Sequence, residues 1–210
     1  MVTLCVTCMK WNSLIIAFFA LAILAQAETV TVQPQGEFAE IDVASSYEEF
    51  TRLLRKSPRS IERVLAAPGS YNPSVLYALA GALFQTGRKD DAMFYFYLGQ
   101  LRARSDANKT LDPSAEQAVD VLNQEFGESI NQYAFRDIPK LKATVSKVLA
   151  KDSEWPRDYD ARWISLHGAD AYYLLKVRMK PADQWDAINE KTRKTYLEEF
   201  KDVISEIESN

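Results

Sequence analysis

Histidine occurs once in this chain, at His167, and cysteine twice, at Cys5 and Cys8. A lone histidine excludes multi-histidine metal sites and leaves one position for any histidine-based catalysis. Both cysteines lie upstream of an unbroken apolar run, Leu14 to Leu24. Everything after that run is free of thiols, which excludes thiol nucleophiles, thiolate metal sites and disulfides there. HExxH, GxSxG and glycine-rich phosphate loops are missing too. Charge of one sign is also lacking. Twenty-five basic residues face 29 acidic ones, for a net charge of −4, so nothing draws the chain to nucleic acid or anionic lipid.

The apolar run has its own meaning. Lys10 precedes it, and Ala25-Gln26-Ala27 follows. A basic n-region, an apolar h-region and an A-x-A site in that order read as a cleaved signal peptide over residues 1–27. The run is shorter than the roughly 20 apolar residues that span a bilayer. Cleavage before Glu28 removes 27 of 210 residues and leaves 183, with the net charge moving from −4 to −5 because Lys10 is the only charge in the tag. The mature chain is then expected in the periplasm or the medium, as one domain with enough residues for a core without staples. No later stretch is long and apolar enough to form an integral membrane segment.

Residues 28–45 read as an extended or disordered arm, because Thr29-Val30-Thr31-Val32 alternates and Pro34 and Gly36 interrupt. From Ser46 to residue 210 the pattern is helix after helix. Ser46 with Glu49 has the spacing of a capping box. Ser57-Pro58, Asn72-Pro73, Asp112-Pro113 and Asp137 mark further helix starts, and Gly87 and Gly127 mark stops. The spacing predicts helices over 128–135 and 160–177, a loop around Trp155-Pro156, and a long terminal helix from Pro181. That last helix would bury Trp185, Ile188, Leu197, Phe200, Val203, Ile204 and Ile207. The expected class is all-α, with about eight helices packed as hairpins.

Residues 73–106 carry a recognisable pattern. The spacing of Leu76, Leu79-Ala80, Leu83, Gly87, Ala92, Phe96 and Gly99 resembles one tetratricopeptide or Sel1-like hairpin. The resemblance implies a helix–turn–helix unit of an α-solenoid-like fold, with Gly87 at the turn, Ala92 as the small contact and Phe96 as the packing residue. Leu76 and Arg104 stand where that pattern has an aromatic and a proline. A looser likeness, in Tyr95–Arg104, Val121–Gln124, Ile130–Phe135 and Asp160–Gly168, is to an uncharacterised family of small exported bacterial proteins.

The chemistry on offer is sparse. His167 has Asp170 three residues on, with Asp160 and Arg162 shortly before. On a regular helix His167 and Asp170 would share a face, and the carboxylate would orient the ring. Acids are numerous (Glu48/Glu49, Asp90/Asp91, Glu198/Glu199), yet none is embedded in an apolar run as a raised-pKa acid requires. Gln100, Arg102, Arg104, Asn123, Gln124, Asn131 and Gln132 fall between the central hairpin and the next helices, and together would make a donor-rich groove for a peptide or carboxylate. Trp155 and Tyr159 combine aromatic anchors with charge in a loop. The leading expectation is an exported, non-enzymatic binding module for a protein or peptide, an immunity or inhibitor protein or an adaptor of the cell envelope, with no metal and no cofactor. The alternative is an envelope hydrolase using His167 or paired carboxylates.

Overall fold

The computed structural model describes residues 36–209. The expected signal peptide and the first part of the expected arm lie outside the described residues. Eight α-helices follow in order among the described residues: α1 (Ala44–Leu54), α2 (Pro58–Ala66), α3 (Pro73–Gln85), α4 (Lys89–Ala107), α5 (Gln117–Ala134), α6 (Ile138–Glu154), α7 (Ala169–Tyr173) and α8 (Trp185–Ser209). Short 3-10 turns cover Gly36–Glu40, Pro68–Ser70, Pro113–Glu116, Ala161–His167 and Ala182–Gln184. There is no β-strand among the described residues; Thr110 and Met179 form one isolated antiparallel bridge. The class is all-α. No described helix is long and apolar enough to cross a membrane.

The helix α4 is the axis of the fold. Its run Ala92-Met93-Phe94-Tyr95-Phe96-Tyr97-Leu98-Gly99 has no polar face, and every one of these residues is buried. A helix apolar all round must be enclosed, and α3, α5, α6, α8 and the 161–167 turn all pack on it. Its largest interface is with α3, where Tyr77 meets Phe96 edge-on at 5.4 Å. Each fully buried aromatic or leucine there contributes roughly 1.5–3 kcal/mol.

Several local signals act as read. Ser57 accepts from the Ser60 N–H with Pro58 in the first turn, and Asp137 accepts from Lys140 N. Others are overturned by packing. Ser46 and Glu49 are no capping box: α1 begins earlier, after Val43, and both side chains are buried inside it. Ser46 Oγ instead accepts from the Asn72 N–H at 3.1 Å, satisfying the start of α3, and Glu49 pairs with Arg52 and Arg63. Gly127 does not end a helix. The segments read as separate before and after it are one helix, α5, and a Cβ at Gly127 would come within 3.0 Å of the Phe96 ring. The glycine costs α5 about 1 kcal/mol of propensity and lets a large core ring seat against its backbone.

Residues 160–177 are not one helix. A 3-10 turn runs to His167, Gly168 is extended (φ −88°, ψ 162°), and α7 has only five residues. Beyond it the chain leaves the helical path, with Leu175 at positive φ (53°), and pairs with other backbone: Leu111 N donates to Arg178 O at 2.8 Å, and Lys180 N to Lys109 O at 2.7 Å. The described part of the arm is not extended either. Gly36–Glu40 forms a 3-10 turn, and Phe38 and Ile41 are buried. On α8 the buried residues are Thr192, Tyr196 and Ile204, while Val203 and Ile207 are exposed.

Candidate functional site

The predicted polar groove does not assemble. Arg102 is wholly buried, where its Nε donates to Asp152 at 2.9 Å and its Nη atoms donate to the carbonyls of Trp155 and Pro156. Asp152 also receives Arg157 at 2.8 Å and Arg193 at 2.9 Å. Burial alone would raise this carboxyl, but Arg157 and Arg102 outweigh it and hold it below the ordinary range. One turn along α4, Asp106 accepts from Trp163 Nε1 at 2.9 Å and Tyr159 Oη at 3.0 Å, and it pairs with Lys109 at 2.8 Å. Burial lowers the Lys109 pKa despite that partner. These charges clamp the 155–159 loop and α8 onto α4. Trp155 and Tyr159 are therefore pins of that loop, with Trp155 edge-on to Phe94 at 6.0 Å.

The amides serve the core in the same way. Gln100 donates to Asn123 Oδ1 at 2.9 Å and accepts from Tyr196 Oη at 2.7 Å, and Tyr77 Oη reaches the same Asn123 oxygen at 2.7 Å. Asn131 accepts from Tyr97 Oη at 2.9 Å. Arg104 pairs with Glu199 at 2.6 Å across the Tyr196 ring. Gln124 and Gln132 are the exposed members, on α5.

The acid–base candidates are also kept apart. Asp170 points to Arg178, whose Nη2 donates at 2.9 Å, because extended Gly168 breaks the helical register that would have set it beside His167. Asp160 caps the 161–167 turn, accepting from Arg162 N, and holds the Arg162 guanidinium at 2.7 Å. Among the acid pairs, Asp90 accepts from Tyr133 Oη at 2.6 Å and Lys140 at 3.1 Å, which hold it below the ordinary carboxylate range. Asp91 meets Arg88.

His167 belongs to a different place. It stands exposed at the edge of a cleft of about 520 Å³ between α1, α5 and the 161–167 turn, with the start of α3 as its floor. The ring lies edge-on to Trp163 at 5.7 Å, and the hydration it loses there lowers its pKa below the usual 6.5. Among the described residues no hydrogen bond reaches its nitrogens. Val43, Tyr47 and Phe50 form one wall of the cleft, and Ala118, Val121 and Leu122 the other. Trp163 is buried at the base, whereas the lips are open to water: Tyr47 is 71% exposed and Val121 62%. Asn72, Ser74 and Gln117 are the polar lining besides His167.

No protein family, curated protein or solved structure matches this chain.

Of the cleft residues only His167 stood out in the sequence. The rest are ordinary apolar positions with Asn72, Ser74 and Gln117 among them, and the available signal was the apolar stripe Tyr47, Phe50 and Leu54 on α1. A second exposed apolar strip, Tyr172-Tyr173-Leu174-Leu175, follows the 161–167 turn.

Proposed function

We propose that this protein is a non-enzymatic binding module that receives an apolar element of a protein or peptide in the cleft between α1 and α5. One observation carries the reading: a cleft with a buried tryptophan at its base and large apolar lips left in water. A monomer gains nothing from exposing Tyr47 and Val121 around an apolar hollow, and a partner that covers them gains their burial. Export to the periplasm or the medium, read from residues 1–27, sets the compartment, and an immunity, inhibitor or adaptor role in the envelope fits that compartment. We also read the α3–α4 hairpin as a tetratricopeptide/Sel1-like unit. The positive φ of Gly87 at the turn (87°) and the buried Ala92 and Phe96 support this kinship. The rival hydrolase reading loses support, since Asp170 is held by Arg178 and the pair Asp90/Asp91 by Lys140 and Arg88.

The test is capture from a native envelope extract with the wild-type chain, with Val121→Asp and with Lys176→Ala as a distant surface control. A stoichiometric protein retained by the wild type and the control but lost with Val121→Asp is the expected result. An empty wild-type capture, or a partner indifferent to the Val121 change, overturns the reading.

A further inference from the structure

We propose that the occupant of this cleft is a cationic amphipathic helix, lying along a groove whose two walls are α1 and α5. The inference rests on the binding reading above and names the chemistry of its partner. Exposed side chains continue both walls along their helices past the hollow. On α1, Tyr47, Phe50 and Leu54 follow the i, i+3, i+7 spacing of a single stripe, and Leu54 remains 52% exposed. On α5, Val121 is succeeded on its own stripe by Glu125 at i+4 and Glu128 at i+7, both exposed. Phe50 and Phe126 meet edge-on at 6.3 Å, so the walls come together over an aromatic contact. At about 1.5 Å per residue, α5 runs some 27 Å, room for several turns of a partner helix. Such grooves take apolar anchors at helical spacing.

Charge decides which helix. The wall α5 carries Asp120, Glu125 and Glu128 and not one Lys or Arg. Residues 36–51, which lead into and form most of the other wall, hold five acids and no base; Glu48 and the buried Glu49 pair with Arg52, which leaves Glu37, Glu40 and Asp42 as the acids without a salt bridge. Arg52 is held by Glu48 and Glu49 and Arg162 by Asp160, while Arg55 and Lys56 stand only past the Leu54 end of α1. A helix with acidic flanks would meet like charge along the α5 wall. One with Lys or Arg beside its apolar face would meet Glu125 and Glu128. The rest of the surface mixes both signs, so this bias is local to the groove.

Fluorescence anisotropy with the signal-free chain tests it. The probes are a labelled Leu/Lys amphipathic helical peptide of about 18 residues, matching α5 in length, its Leu/Glu counterpart with the same apolar face, and a Leu/Lys peptide of scrambled order. The expected result is binding of the ordered Leu/Lys peptide alone. That binding weakens roughly tenfold on raising salt and again with Glu125→Lys/Glu128→Lys, and it is lost with Val121→Asp. If the Leu/Glu peptide binds as well and Val121→Asp abolishes both, the cationic partner is refuted while the groove stands. If no peptide binds, or if the scrambled peptide binds equally and ignores Val121→Asp, the groove reading fails together with this one.

Discussion

Replacing Arg102 with Met should damage the fold and leave the groove intact. The side chain is fully buried and makes three hydrogen bonds, one to Asp152 and two to loop carbonyls. Removing one partner of a buried ion pair ordinarily costs about 3–5 kcal/mol. Here Asp152 keeps Arg157 and Arg193, so the remaining charge is still compensated, and the loss should fall to about 2–3 kcal/mol, mostly from the two orphaned carbonyls. Asp152→Asn is the harsher change. It strips the shared anion from three cations, one of them wholly buried, and should reach the full 3–5 kcal/mol. At about 2–4 °C per kcal/mol for a chain of this size, the two variants should melt roughly 4–12 °C and 6–20 °C below wild type. Thermal melts followed by circular dichroism give these shifts, and urea titration gives the free energies and midpoints. The order matters more than the sizes: Arg102→Met milder than Asp152→Asn, and peptide binding by the folded fraction unchanged in both. An Arg102 variant with an unaltered midpoint and lost binding would refute this placement and return Arg102 to a recognition surface.

Other outcomes follow from the same geometry. Gly127→Ala should destabilise by about 1–3 kcal/mol despite its better helix propensity, because the new methyl meets Phe96 at 3.0 Å; a stabilised variant in the same urea assay contradicts the close approach. Hydration lost against Trp163 depresses the pKa of the solvent-edge His167 in the folded chain, so the unfolded chain binds the proton more readily: this contribution is complete above the ordinary 6.5 and is lost as pH falls through the lower folded value. His167→Gln should flatten the corresponding slope of melting temperature between neutral and mildly acidic pH, and an unchanged slope refutes the assignment. The lowered carboxyls of Asp152, Asp112 and Asp160 give a second, separate loss that begins only as pH falls below the ordinary carboxyl range near 3.8. In hydrogen exchange α1 should open before α4, since α1 lacks a side-chain cap and buries only Ser46, Glu49 and Leu53; equal protection of the two helices would contradict a groove with one adaptable wall.

Much of the architecture was legible because local signals and packing agree. Ser57-Pro58 and Asp137 start helices for the reason their chemistry implies, and the aromatic run of α4 could only be an enclosed helix. The misreadings share a cause. Ser46, Glu49 and Gly127 carry strong local signals that a distant partner overrides: Asn72 takes the hydroxyl, Arg63 the carboxylate, and Phe96 needs the missing Cβ. Residues 160–177 look helical alone, yet residues 109–111 capture the backbone beyond α7. No spacing rule within a segment reports such partners. The site was less legible still. Sequence reasoning favours amides, arginines and aromatics near charge, and in this chain those groups are engaged by one another.

That engagement is itself informative about where function lies. A polar side chain that already has well-placed partners offers a ligand little, because binding must first break what the fold has made. Gln100, Asn123, Arg102 and Asp106 are in that position. Uncovered apolar surface is the reverse case: Tyr47, Leu54 and Val121 lose nothing when a partner arrives and release the water they hold. The charged residues able to contribute are those at the groove rim, such as Glu125, exposed and acting chiefly on encounter rate and partner choice. Affinity should therefore track the apolar lips and discrimination the acidic rim. The buried ion network around Asp152 and Asp106, which also holds Trp163 at the base of the cleft, would keep the scaffold in register while α1 adjusts.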